Sequence, residues 1–481
     1  MTDGEALSLG GQLIDFALTF PAGDIPERTL EWAALRFVDT VGVGLACASY
    51  DLGTAAAHLA VDDPAAGPAS VWASGGLRVR MADACLANGM LSHGMDYDDT
   101  HTTATLHPSC VIVPTALAVG EATGASGTEV LAAAVVGFET VARLGLLASG
   151  KFQNRGFHPT SVLGVFGAVA TVSRLMGVSA AVGRNAAGLA GSMASGLMEY
   201  LSDGSSAKQV HPGWAAQAAV TAVRLAQLGA TGPARVLEGT AGGFRSFAGI
   251  DVSGSEVFKT LGEEWLGTLV ATKPYPACHC VHAPVDAWRA LADRLRLSAD
   301  EIASISSFTG LVPSWYLQLV CDPMPAKRAP RSVYEARFSL PYSIGVAVVD
   351  GKMDLNSFGV ERLSDSRVLE VAAKVDYEVL EYQEFPEAFP GGIRVTWPEG
   401  RVEEEHVLHN RGSVGNPMSA EEICEKFLEA AARLTSPERA GQLLESLRSL
   451  REAPSLEGFT KAIAEVVAAP LASRGVRQGH Q

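Results

Sequence analysis

The stretch Asn88 to Pro108, NGMLSHGMDYDDTHTTATLHP, decides how the rest of the chain is read. Within it Asp96, Asp98 and Asp99 stand close to His93 and His101, a His-Pro pair follows at His107 and Pro108, and threonines fill the gaps. Solubility alone does not explain so many titratable groups beside apolar sequence. Three readings are open: a metal site, a general acid/base site, and a hydrogen-bonded helix terminus. A metal would draw on Asp96, Asp98, Asp99 and His101. There is no HExxH pair, however, and no Gly at the sixth position of an EF-hand loop begun at any of these aspartates, so no metal is expected. A helix capped by Asp98, Asp99 or Thr100 accounts for one of these residues and leaves the remaining carboxylates and the histidines to be explained.

Outward from this stretch, composition sets limits. A chain of 481 residues is too long for one simple core and implies two or three domains. With 47% apolar and 19% charged residues it is a well-buried globular protein. A formal charge of -16 argues against nucleic acid and anionic membrane surfaces as partners. A small anionic substrate would need local cations, which gives weight to each Lys and His near the motifs. The start, MTDGEALSLGGQLIDF, has no basic region followed by an apolar core. The uncharged run Thr102 to Gly120 contains His107, Pro108, Pro114 and several hydroxyls, unlike a membrane-spanning helix. Seven scattered cysteines form neither a zinc ribbon nor a disulfide framework, and Cys278 and Cys280 make only a C-x-C. A cytoplasmic, reduced protein is expected.

Apolar positions Leu30, Ala34, Phe37, Val41 and Leu45 predict a helix from Pro26 to about Ala48, with Asp24 as a cap and Pro26 in the first turn. Val130 to Leu147, Ser161 to Met176 and Gly183 to Met198 are rich in Ala and Gly and predict closely packed helices. After Lys273 the pattern changes. Ala283, Ala287, Trp288 and Leu291 share one helix face. Ile302 to Val312, Lys374 to Val379, Ile393 to Trp397 and Val402 to Leu408 read as strands, the last two joined at Pro398-Glu399-Gly400. Beyond Asn416-Pro417 helix returns, with Ser436 capping and Pro437 in the first turn, and the chain ends in a basic, Gly-containing tail expected to fray. Gly42-Val43-Gly44 lies inside a helical pattern and is no dinucleotide fingerprint. No Walker motif, GxSxG elbow or cluster-binding cysteine trio is present, so no cofactor is expected.

The run HGMDYDDTH at His93 to His101, with its following His-Pro, resembles the signature of the MmgE/PrpD family, which includes 2-methylcitrate dehydratases, cis-aconitate decarboxylases and an iminodisuccinate epimerase. Four further stretches fall in the same order: GFHPTSVLG at Gly156 to Gly164, SSAKQVHPGWAAQ at Ser205 to Gln217, KPYPACHCVHAPVDA at Lys273 to Ala287, and GNPMSAEEICEKF at Gly415 to Phe427. The resemblance implies a mostly α fold: a large all-helical domain built from both chain ends, residues 1–272 and 410–481, with an inserted smaller α+β domain, residues 273–409. It also implies a homodimer and an active site in the cleft between the domains.

Matched residue by residue to the decarboxylases of that family, Asp96, Thr100, His107, His158, Lys208 and Lys273 take catalytic positions, the loop before His107 being one residue longer here. Taken singly, His107 and His158 precede Pro and suit structural turns, and Lys208, after Gly-Ser-Ser, reads as a solvated loop lysine. Their coincidence in five ordered motifs is what makes them candidates. Two departures matter. Cys278, followed by His279, stands where the decarboxylases carry His, and His101 stands where dehydratases often carry Trp.

Proton removal next to a carboxylate needs a positioned base, cations or hydrogen bonds on the carboxylates, and a proton donor. His107 or His158 would move the proton, Lys208 and Lys273 would hold carboxylates, and Asp96 with Thr100 would orient the base or leaving group. Tyr275, His211 and Arg337, with Cys278 and His279, are candidates for binding substrate, as is Tyr342, although Tyr275 and Tyr342 also suit packing between domains. The expectation is a cofactor-independent lyase of a small di- or tricarboxylate, with dehydration ahead of decarboxylation. An isomerase or epimerase using the same site comes second, and a non-catalytic dimeric carboxylate-binding or scaffold protein third.

Overall fold

Leu30, Phe37, Val41 and Leu45 form the buried stripe of a long helix, α1, Glu27–Ser49. The computed structural model describes residues 7–50, 53–62 and 66–467; the first six residues and the basic tail lie outside the described residues. Pro26 occupies the N-cap of α1 instead of its first turn, and Asp24 closes a separate short turn, Ala22–Asp24, without capping the helix. Pro26 has extended backbone (ψ 140°), so helical geometry begins only at Glu27, whose charge suits the positive end of the helix dipole.

Around α1 lie α2 (Met81–His93), α3 (Ser109–Thr123), α4 (Gly127–Leu146), α5 (Pro159–Leu175), α6 (Ala180–Met193) and α7 (Ala207–Gln227). Small residues allow the close contacts expected from the composition. Where α2 meets α7, a Cβ on Gly89 would lie 2.6 Å from the Gly213 Cα. Helix α6 ends at Met193, five residues before the predicted Met198, because Ala194 turns extended and Gly196 takes a φ of +124°. That break lets the Gly196 carbonyl accept the His158 backbone N–H at 2.9 Å.

Past Lys273 come α8 (His282–Leu295) and α9 (Leu340–Asp350) and a four-stranded sheet. Two short strand pairs precede the sheet: Ala66–Ser70 with Arg78–Val79, and β1 (Thr100–His101) with β2 (Val270–Ala271). The sheet strands are β3 (Ser307–Val312), β4 (Val375–Val379), β5 (Gly391–Thr396) and β6 (Val402–Val407), in spatial order β4-β3-β5-β6. Only β3 and β4 run parallel. The predicted strand from Ile302 starts instead at Ser307. Residues Ala299–Ser304 are helical under a capping box in which Ser298 and Glu301 satisfy each other's backbone N–H. The Ser-x-x-Glu signature was in the sequence and outweighs the β-branched Ile302.

Helices α10 (Ala420–Ala431) and α11 (Pro437–Arg448) return to the first core: Phe427 and Leu443 are buried in the same cluster as Phe37 and Val41. A second cluster, with Trp288, Phe308, Tyr342 and Ile393, is built wholly from residues 275–397. The fold is mostly α, with its strands concentrated in that second part. Among the described residues no helix is long and apolar enough to cross a membrane.

Candidate active site

Helix α2 ends at His93, and the chain then makes a buried loop to Pro108, the N-cap of α3. Asp96 sits in this loop in the left-handed region, φ +53°, a conformation that costs a non-glycine residue about 1–3 kcal/mol unless its surroundings hold it. The surroundings do. Lys208 Nζ donates to Asp96 Oδ1 at 2.5 Å, and Lys273 Nζ donates to the Asp96 carbonyl at 2.8 Å while lying 3.4 Å from Oδ2. Lys273 has no exposed surface and Lys208 is 4% exposed, so Lys208 is no solvated loop lysine: it sits on the buried side of the first turn of α7.

Burial by itself would raise the Asp96 carboxyl, but Lys208 and Lys273, with His107 and His93 behind them, hold it well below the usual carboxylate range. Against the desolvation of its own ammonium, Lys208 is raised by the same contact. The two lysines share the Asp96 carboxylate, and the Asp98 carboxylate nearby acts on both of them as well.

The imidazoles face this triad. His107 Nδ1 lies 2.7 Å from the Asp99 carbonyl, which can only accept, so Nδ1 carries the proton and Nε2 keeps its lone pair. Thr100 Oγ1 stands 3.3 Å from the same Nδ1. His158, the N-cap of α5, has its Nδ1 2.9 Å from His211 Nδ1. One of this pair donates and the other accepts, so His158 presents either a bare Nε2 or an Nε2–H according to which way that proton sits. Burial, together with Lys273 and Lys208, pushes His107 well below the ordinary imidazole value despite the pull of Asp98. Burial, then His211 and Lys208, does the same to His158, and His211 is pushed down to about 4.

Asp96, Thr100, His107, His158 and Lys208 line one cavity of about 70 Å³ together with Cys278, His279 and Cys280. Lys273 supports it from behind Asp96. A thiol–thiol hydrogen bond from Cys280 lowers Cys278. His279 Nε2 meets Asn410 Oδ1 at 3.2 Å, and burial beside Lys273 pushes His279 down to about 3. Trp315, Leu319, Phe338, Phe389 and Met198 form an apolar wall. Of that wall the sequence points only to Trp315, in the α+β segment expected to supply the pocket walls; Leu319, Phe338, Phe389 and Met198, like Tyr200, Thr105 and Gln153, which also line the cavity, come singly from distant segments.

Two substrate-binding candidates are engaged elsewhere. The Tyr275 hydroxyl donates to Asp286 at 2.5 Å and accepts from Arg289 at 2.8 Å. The fully buried Arg337 donates from Nη1 to the Met95 and Pro276 carbonyls at 2.8 and 2.7 Å, tying the aspartate loop to the segment after Lys273. Neither lines the cavity. His211 stands one layer behind it, touching His158, and Tyr342 donates to the Ser357 carbonyl within the second core.

The four residues of the sequence-level metal reading diverge. Asp96 faces the lysines, and Asp98 accepts from His93 at 2.8 Å. Asp99 accepts from the Ser109 backbone N–H and hydroxyl at the start of α3, and His101 is held by the Leu266 carbonyl and the Ala104 N–H. Asp99 is therefore the carboxylate that serves a helix terminus, from outside the N-cap position; burial raises it to about 7 against Arg36 and Ser109. A different group, His93, His107 and His158, offers nitrogens within 4.8 Å of one another.

Residues 11–253 match the MmgE/PrpD N-terminal domain and residues 275–452 the MmgE/PrpD C-terminal domain. The chain is 28% identical over 450 residues to the cis-aconitate decarboxylase of Homo sapiens, covering 89% of each chain. To that of Mus musculus it is 28% identical over 409 residues, 82% of this chain and 80% of the relative. To the cis-aconitate decarboxylase of Aspergillus terreus it is 26% identical over 492 residues, 96% of both.

Proposed function

The chain belongs to the MmgE/PrpD family, and from that membership we propose that it is a cofactor-independent lyase that removes carbon dioxide from a small, unsaturated di- or tricarboxylate. The observation that carries this reading is the meeting of a Lys208–Asp96–Lys273 triad with the buried His158 and the partly buried His107 at one cavity. The lysines supply the positive charge a carboxylate needs. His107 and His158 supply proton transfer.

In a β,γ-unsaturated carboxylate the pair released by C–C cleavage moves into a new double bond. The former alkene carbon next to the second carboxylate then takes a proton. A polyanion bound beside His107 and His158 raises their proton affinity, so a group that is neutral in the empty site becomes the donor in the complex, and solvent reloads it afterwards. The apolar wall of Trp315, Leu319, Phe338 and Phe389 suits the leaving carboxylate, which gives up its charge as it departs. That wall, and the decarboxylases among the relatives, support putting decarboxylation ahead of dehydration, the opposite order to the one expected from sequence. Asp96 and Thr100 orient: Asp96 sets the two ammonium groups and Thr100 sets His107. The cavity in this reading lies between an all-helical domain of residues 1–272 and 410–481 and an α+β domain of residues 273–409, in a homodimer.

Proton NMR of the protein in deuterium oxide with cis-aconitate, citrate, 2-methylcitrate and hydroxy- and amino-succinates tests the proposal. Loss of a carboxylate, with deuterium on the new saturated carbon, is the expected result. New alkene signals from a hydroxy acid would instead establish a dehydratase, and exchange with unchanged connectivity an isomerase. Silence across the panel would sink all three; a thermal shift without turnover would then leave the carboxylate-binding reading, and no shift from any ligand the scaffold reading.

A further inference from the structure

His93 has no part in the chemistry above, yet it is fully buried at the end of α2 beside the two imidazoles that do. Its Nδ1 lies 2.8 Å from Asp98 Oδ2, so an ionised Asp98 accepts from Nδ1–H and leaves the lone pair on Nε2. That Nε2 has no hydrogen-bond partner among the described residues. A buried acceptor with nothing to accept from calls for an occupant. The His93 ring lies 5.0 Å from that of His107 and 5.6 Å from that of His158, centroid to centroid.

All three imidazoles share one arrangement: each holds its Nδ1 on a partner. The partner is the Asp98 carboxylate for His93, the Asp99 carbonyl for His107 and the His211 ring for His158. Such outer partners fix the tautomer and aim of metal-binding histidines. Three imidazoles with an open fourth position form a donor set for zinc-like ions. One ring nitrogen of each histidine lies within 4.8 Å of one on each of the other two, near enough for the three to converge on an ion held by bonds of ~2.0–2.1 Å.

We infer that His93, His107 and His158 form a binding site for a divalent transition ion of the zinc class, and that its occupation stops turnover by taking the lone pairs of the two cavity imidazoles. The site rests on geometry alone; the inhibition rests also on the lyase reading.

Cobalt(II) titrated into the metal-stripped full-length protein is the test. One ion per chain is expected, with the strong visible absorption of a low-coordinate nitrogen site, no thiolate charge-transfer band, and displacement by zinc. His93→Gln should weaken cobalt binding at least tenfold, and Asp98→Asn, which removes only the outer partner, about 10–100-fold. The second variant serves if the first does not fold. No visible band at stoichiometric cobalt, a thiolate band pointing to the cysteines, or unchanged binding in a folded variant would overturn the site. In the turnover assay zinc should inhibit with the midpoint of its binding curve, and EDTA should restore activity. The cobalt spectrum needs no turnover, so inactivity toward every carboxylate would count against the lyase reading alone, and zinc binding without inhibition against the switch alone.

Discussion

At the scale of single residues, the site depends on charges that are buried and shared. Lys273 contacts both the carbonyl and the carboxylate of Asp96, so it holds the backbone of the aspartate loop as well as a charge. Lys273→Met is expected to lower kcat by about 10²–10³-fold, the range for removing one fixed electrostatic donor from a closed site. Steady-state kinetics beside a melting curve checks it, and an unchanged kcat in a folded variant would remove Lys273 from the proposed machinery. His107→Gln should cost about 10²–10⁴-fold, the usual contribution of a general acid or base. The pH profile carries a sign. Burial keeps His107 and His158 neutral in the empty site well below the ordinary imidazole value, and the proposed donor takes up its proton on binding, so kcat/KM of the wild type should rise as pH falls from about 8 to 6.5. An acid limb centred at or above that value would contradict this.

At the scale of elements, the site is as good as the helix contacts behind it. Helix α2 carries His93 and α7 carries Lys208 and His211 one turn apart. The two meet where a Cβ on Gly89 would lie 2.6 Å from the Gly213 Cα and 2.7 Å from its N. Backbone cannot yield there as a flexible side chain would. Gly89→Ala should therefore destabilise the protein by about 2–3 kcal/mol and lower kcat by displacing Lys208 from Asp96. Urea unfolding and kinetics on the same preparation check both parts. Arg337 acts between elements in the same way. Its single nitrogen Nη1 ties the Met95 and Pro276 carbonyls, so Arg337→Met should lower stability by about 2–4 kcal/mol, more than the loss of a typical surface contact.

At the scale of the whole molecule, burial of neutral imidazoles governs the response to acid. His101, His107, His158, His211, His279 and His282 are all pushed below the ordinary value, chiefly by burial. The unfolded chain binds these protons near pH 6.5 and the folded chain does not. Above that pH the folded state bears no penalty. Below it each group costs about 1.4 kcal/mol per pH unit until its own folded value is reached. Asp99, raised to about 7, and the raised Glu139 and Asp286 work in the opposite sense, but they are fewer. The melting temperature should therefore drop between about pH 7 and 5.5. A flat or rising profile over that range would mean that the histidines are protonated in the folded state.

Periodicity and turn chemistry were enough to place most elements, because they act within a few residues. The stripe of α1, the Ala/Gly-rich helices, the Pro398–Gly400 hairpin and the Ser436 cap follow from local spacing alone. Local boundaries failed where a stronger local signal competed, as the capping box at Ser298 did with Ile302, or where the tertiary site set the end of a helix, as at Met193. The candidate residues themselves stood out only because five motifs fell in family order. Nothing in their spacing links residues 112 or 177 apart in sequence, as Lys208 and Lys273 are from Asp96. What only the tertiary structure decided is which of the polar residues face one another. Arg337 and Tyr275 went to backbone and Asp286, while His93 and the apolar wall came to the site. Folding places most buried polar groups where a neighbour satisfies their charge or proton and leaves a few, such as His93 Nε2, without one, and those neighbours are set in space and not in sequence.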